Sequence, residues 1–266
     1  MRHTRTSRVI ALAAATALAS AGLLSFGSTA SAAPAVTKIE GTAADAAGLA
    51  PTVDAYRGLL GDPNNGNAPG ARREINWDGV PDNLSSPNAL PRDLFNTAPT
   101  TRGAVFSSAA DSRFQVSADT DNPDHADVRF GNINPQYKNI FGTFSPQRLF
   151  TPIGTNKMSV HFFVPGTHQP ATVNGFGAVF TDVDRADSTK IELYDRWGNL
   201  LWSKWVLRSQ WANKGLSFLG VKTTADIYEV RITSGNTPLS QWNNDGNGRD
   251  IVVMDDFLYS EPKPLH

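Results

Sequence analysis

Asp182 and Asp184 stand two residues apart at the end of the apolar stretch 172–181. In an extended chain alternate side chains share a face, so both carboxylates can point the same way. Asp255 and Asp256 interrupt a second apolar run, 251–259. Burying an unpaired carboxylate costs several kcal/mol or raises its pKa, so each of these groups needs a partner. Calcium, which takes hard oxygen ligands, is one candidate. Turn amides, or an arginine such as Arg72 or Arg73, are the other. If a metal is held, the expected ligands are Asp182, Asp184 and Asp256.

Two further acidic runs are candidates by composition. Asp119-Thr120-Asp121-Asn122-Pro123-Asp124 opens like an EF-hand loop. Its sixth position is Asp124 where that loop needs glycine, and its twelfth is Phe130 where it needs glutamate, so it reads as a solvated turn. The run from Asn243 to Asp250 is accounted for by a tight turn before the last strand, with a metal site as the alternative.

Six tryptophans carry the other chemistry. An exposed indole can stack on the C–H face of a sugar, although burial is the commoner fate of the residue. Trp197 falls in a turn and Trp242 in a loop, where burial is least automatic. Trp202 and Trp205 lie three apart on one strand and must face opposite sides, so at most one of them is core. These four are the candidate glycan-stacking residues.

Evidence for a reactive centre is thin. There is no Gly-x-Ser-x-Gly elbow, His-Glu-x-x-His or P-loop, and no cysteine for thiol chemistry. His125, His161 and His168 follow no ligand spacing. A glycosidase needs only two carboxylates. Glu74, Glu192 and Glu229 qualify by type, but each sits in an alternating stretch where solvent exposure explains it. No catalytic residue is assigned.

The elements that must position these groups are β-strands. Of 25 acidic residues 20 are Asp, and Asn, Gly and Pro are abundant, a composition that favours turns between short strands. Period-two patterns or short apolar runs predict strands at 74–77, 104–107, 113–117, 158–164, 172–181, 189–194, 200–206, 215–221, 227–234 and 251–259. Residues 195–199 read as a hairpin turn in which Gly198 and Asn199 can take positive φ. A helix is expected over 52–60, ending at Gly61, after a flexible leader at 33–50. Residues 80–103 and 118–156 read as long loops. Ten strands without interleaved amphipathic helices predict an all-β, two-sheet antiparallel sandwich of jelly-roll type, forming a single domain over 51–262 with a short tail at 263–266.

Arg2, Arg5 and Arg8 precede an apolar stretch, 9–24, that ends in Ala30-Ser31-Ala32. This is the pattern of a secretory signal peptide cleaved after Ala32, and it predicts an extracellular protein without a membrane anchor. The signal carries three basic residues and no acid, so the remaining chain has a net charge of −4. A mildly acidic surface argues against nucleic acid and anionic membranes as partners.

The stretches Arg73-Glu74-Ile75-Asn76-Trp77-Asp78-Gly79-Val80, Gly175-Phe176-Gly177-Ala178-Val179-Phe180-Thr181-Asp182-Val183-Asp184 and Val252-Val253-Met254-Asp255-Asp256-Phe257 resemble an uncharacterised family of secreted bacterial proteins. The resemblance covers residues 52–262. It implies a β-sandwich akin to carbohydrate-binding modules and carries over no catalytic residue. The expected function is non-catalytic binding of an extracellular polysaccharide or surface glycan, with calcium support. A structural or matrix role without a small ligand is the alternative, followed by a glycan-acting hydrolase.

Overall fold

The computed structural model describes residues 1, 34–64, 70–109 and 113–265. The signal segment lies outside the described residues. Among those described, no helix is long and apolar enough to cross a membrane.

The fold is the expected sandwich of two antiparallel sheets, with one N-terminal helix. The larger sheet contains β1 (Val36–Ala43), β2 (Arg72–Ile75), β4 (Arg113–Val116), β5 (Phe150–Ile153), β7 (Ala171–Thr181), β10 (Leu216–Ile227), β12 (Val253–Ser260) and β13 (Lys263–Pro264). Its main path runs β1-β10-β7-β12-β5-β4, with β2 added to β12 and β13 to β7. The smaller sheet is ordered β3 (Ala104–Ser108), β6 (Lys157–Phe162), β11 (Glu229–Thr233), β8 (Lys190–Tyr194) and β9 (Leu200–Trp205).

Between the sheets lies an aromatic core in which Trp77 stacks on Phe150 at 4.0 Å and meets Phe257 edge-on. The outer face of the larger sheet is buried as well, under helix α1 (Ala46–Leu60) through Leu49, Val53, Tyr56 and Leu60. Burial on both faces explains why β7 and β12 read as continuous apolar runs instead of alternating ones. Glycines make the helix docking possible. A Cβ on Gly177 or Gly220 would approach the Tyr56 ring to 2.8 or 2.7 Å, so only hydrogen lets the ring lie on the sheet. Tyr56 then donates its hydroxyl to the Val221 carbonyl at 2.8 Å.

Several boundaries differ from expectation. The expected flexible leader holds β1 and the first turn of α1. Asp45 caps the helix by accepting from the Gly48 amide at 2.9 Å, and buried Leu49 continues the helical period backwards through Pro51. β5 was hidden by Pro152, which suits an edge or bulge better than a strand interior. Residues 118–156 also contain the short helix α2 (Tyr137–Ile140), and Phe130, Tyr137, Phe141 and Leu149 form a satellite core. At the β8–β9 hairpin Gly198 takes φ +81°. Asn199 does not adopt positive φ; its side chain instead donates to Asp195 at 2.9 Å.

Candidate metal centre

β7 ends at Thr181, where the chain turns out of the sheet with Asp182 at φ +69°, a left-handed conformation that aspartate tolerates better than bulkier residues. Asp184 follows two residues later. The loop before β12 supplies Asp245, and the three carboxylates offer ligand oxygens lying within 4.8 Å of one another. Calcium–oxygen bonds of about 2.3–2.6 Å span such a spread, and an all-carboxylate set suits a hard cation.

Asp182 is fully buried and neither of its oxygens has a hydrogen-bond partner. Burial, then repulsion from Asp184, Asp245 and Asp250, raises its pKa to about 9. Asp184 is raised to about 6 by burial and by Asp245 and Asp250. Asp245 is also raised, chiefly by burial, although its Oδ1 accepts from the Ile251 amide at 2.9 Å.

Asp250 holds the site's shape. Its carboxylate accepts from the Asp184 and Arg185 amides, both at 3.2 Å, and from the Ser188 hydroxyl, fixing the loop that carries Asp184. The loop with Asp245 is tied down by hydrogen bonds at α2. Gln136 accepts from the Asp245 amide at 2.9 Å, and Tyr137 donates to the Ser240 and Asn243 carbonyls.

Asp256 belongs elsewhere. Val253, not Asp256, pairs with Thr181, so Asp256 lies about 10 Å further along its strand. A register irregularity between Met254 and Phe257 lets Asp255 and Asp256 both approach Ser145, whose Oγ is 3.0 and 2.8 Å from their oxygens. Asp256 faces Arg57 of α1 at 3.8 Å. Burial raises both carboxyls, Asp255 far above the ordinary range and Asp256 to about 6. Arg72 pairs with Glu74 and Arg73 with Glu261, so neither expected arginine serves these aspartates. Asp119 of the failed EF-hand run pairs with Arg148, and Asp127 with Lys138.

Two other groupings bear on catalysis. Glu74 and Asp256 line a cleft of about 730 Å³. Both Glu74 oxygens already accept from Arg57, and one also accepts from Arg72, which holds this carboxylate ionised and occupied. On the outer face of the smaller sheet Ser107 Oγ lies 2.9 Å from His161 Nε2, a contact invisible in sequence because the residues are 54 apart. Glu229, opposite His161 in register, gives its oxygens to Ser159 and Arg231 rather than to the imidazole. The hydroxyl therefore has a proton acceptor but no carboxylate orients that acceptor.

The four candidate stacking residues do not form one platform. Trp202 points inward and packs partly against the main core. Trp205 is on the opposite face, 45% exposed, with the Lys190 ammonium 5.1 Å from its ring centroid. Trp197 and Trp242 are 76% and 80% exposed. Trp242 sits on the loop that carries Asp245, whereas Trp197 lines a separate pocket at the β8–β9 turn.

Comparison with known proteins adds no relative: no family model, curated protein or solved structure matches the chain.

Proposed function

We propose that this protein is a calcium-binding β-sandwich that acts outside the cell as a non-catalytic module for an extracellular polysaccharide. The observation that carries the reading is Asp182, a fully buried carboxylate with two unpartnered oxygens facing two more carboxylates. An arrangement of this kind is costly without a cation and favourable with one. Calcium would be held by Asp182, Asp184 and Asp245, with Asp250 positioning the loop. It would fix the turn after β7 to the loop before β12. The sandwich architecture and the exposed indoles of Trp197 and Trp242 support a glycan partner. Export is supported by the basic, apolar and small-residue order of the first 32 positions.

Thermal melting in calcium and in excess chelator tests the metal. A midpoint several degrees higher in calcium is expected, and identical midpoints would dismiss the site. Retention in affinity electrophoresis on soluble polysaccharides tests the partner, with unretarded migration in every gel as the contrary result.

A further inference from the structure

Trp197 is exposed, yet its backbone is locked. The Asp195 carboxylate accepts from the amides of Trp197 at 2.9 Å and Asn199 at 2.8 Å, and from the Asn199 side chain at 2.9 Å. Gly198 supplies the positive φ that closes the turn, and its amide donates to the Asp195 carbonyl at 3.1 Å. A five-residue turn is thus organised around one carboxylate, and it presents a large apolar ring to water. Such a ring has lost its backbone freedom in advance, which is what a binding anchor requires.

The indole also borders a concavity. A pocket of about 250 Å³ lies beside it, lined by Trp197, Pro264 and Leu265 on the apolar side and by Thr172, Asp195, Arg196, Asp226 and Lys263 on the polar side, two carboxylates balanced by two cations. The far wall is itself secured, because β13 pairs with the start of β7 and the Leu265 amide donates to the Pro170 carbonyl at 3.1 Å. The Arg196 guanidinium lies over the ring, 5.2 Å from its centroid, and Trp197 is still 76% exposed. The volume is below the range of drug-sized sites, so it fits a single ring. With the Asp195 carboxylate committed to the turn and Arg196 to the ring, Asp226 and Lys263 are the acceptor and donor at the edge of an aromatic wall, an arrangement without net charge that would match a neutral pyranose. Its C–H face would stack on the indole, and its hydroxyls would meet Asp226 and Lys263.

We infer that the pocket between the Asp195–Asn199 turn and Lys263–Leu265 is a subsite for one neutral sugar ring of a polysaccharide, with Trp197 as its stacking platform. This rests on the glycan-binding reading above and gives it a place. The pocket touches Thr172 at one end of β7 and the carboxylate cluster begins just past the other end. The two are about 30 Å apart, and calcium does not contact the sugar.

Affinity electrophoresis in gels containing laminarin, xylan, dextran or arabinogalactan tests the subsite. It compares the wild-type chain with Trp197→Ala, Trp197→Phe and Trp242→Ala, each checked for an unchanged melting midpoint. Retardation by at least one polymer is expected for the wild type and for Trp242→Ala. A loss of tenfold or more in apparent affinity is expected for Trp197→Ala, with partial retention for Trp197→Phe. Full retardation of Trp197→Ala would overturn the subsite while leaving glycan binding intact. A wild-type chain retarded by none of the four would overturn both.

Discussion

At the scale of single residues, the buried carboxylates tie the protein's stability to pH. The folded, metal-free protein keeps Asp182 protonated up to about pH 9, whereas the unfolded chain releases that proton near pH 4. The folded state therefore binds more protons across this interval. Metal-free stability contributed by Asp182 is fully present below about pH 4 and is lost as the pH rises towards 9. Asp184, raised to about 6, adds to the early part of the decline. Melting in chelator between pH 5 and 9 should show this fall, and saturating calcium should flatten it, because the ion replaces the protons. Asp182→Asn is neutral in both states and so avoids the proton uptake that folding of the metal-free chain requires above about pH 4. Its metal-free midpoint at pH 8 should rise by about 2–4 °C for each kcal/mol recovered, and its calcium response should vanish. A variant that melts lower and still responds to calcium would contradict the assignment. Two of the three clustered carboxylates were legible in the Asp182-x-Asp184 spacing. Asp245 stood in an Asn/Gly run read as a turn, with a metal site only as the alternative, and its approach to β7 depends on a loop whose path no local pattern encodes.

At the scale of elements, periodicity revealed strands with one dry and one wet face, such as β6, β8 and β11, and long strands dry on both faces, such as β7 and β12, while Pro152 masked β5. Periodicity failed where partners rather than pattern make the element. β1 has little inward apolar surface beyond Ile39 and Ala43 and exists because β10 offers it an edge, in register from Val36 against Thr223 to Ala43 against Leu216. The position of Asp256 was unreadable for a related reason, since a local irregularity in β12 changes which side chains share a face. The docking of α1 on glycines yields a direct test. In Gly177→Ala the added Cβ would meet Tyr56 Cε1 at 2.8 Å and Phe218 Cζ at 2.9 Å, with the Gly220 Cα at 3.0 Å behind them. Overpacking of this kind costs about 1–3 kcal/mol, which urea unfolding would register as a lower midpoint at unchanged slope. An unaltered midpoint would mean that the ring shifts freely over the sheet.

At the scale of the whole molecule, two sheets and a helix make three layers, and the larger sheet belongs to two cores at once. Its inner face packs on the smaller sheet through Phe176, Phe180 and Phe257, and its outer face presents Val179, Phe218 and Leu258 to α1. Removing the helix would not open the sandwich core, yet it would bare a contiguous greasy area on a flat, hydrogen-bonded surface. Val53→Asp, which places a charge against that area, should leave far-ultraviolet dichroism dominated by strand while promoting concentration-dependent association in sedimentation velocity. Sedimentation equal to the wild type at all concentrations would show that the helix has no such effect. The fifteen residues of α1 thus roof over an apolar sheet face that a second copy would otherwise meet.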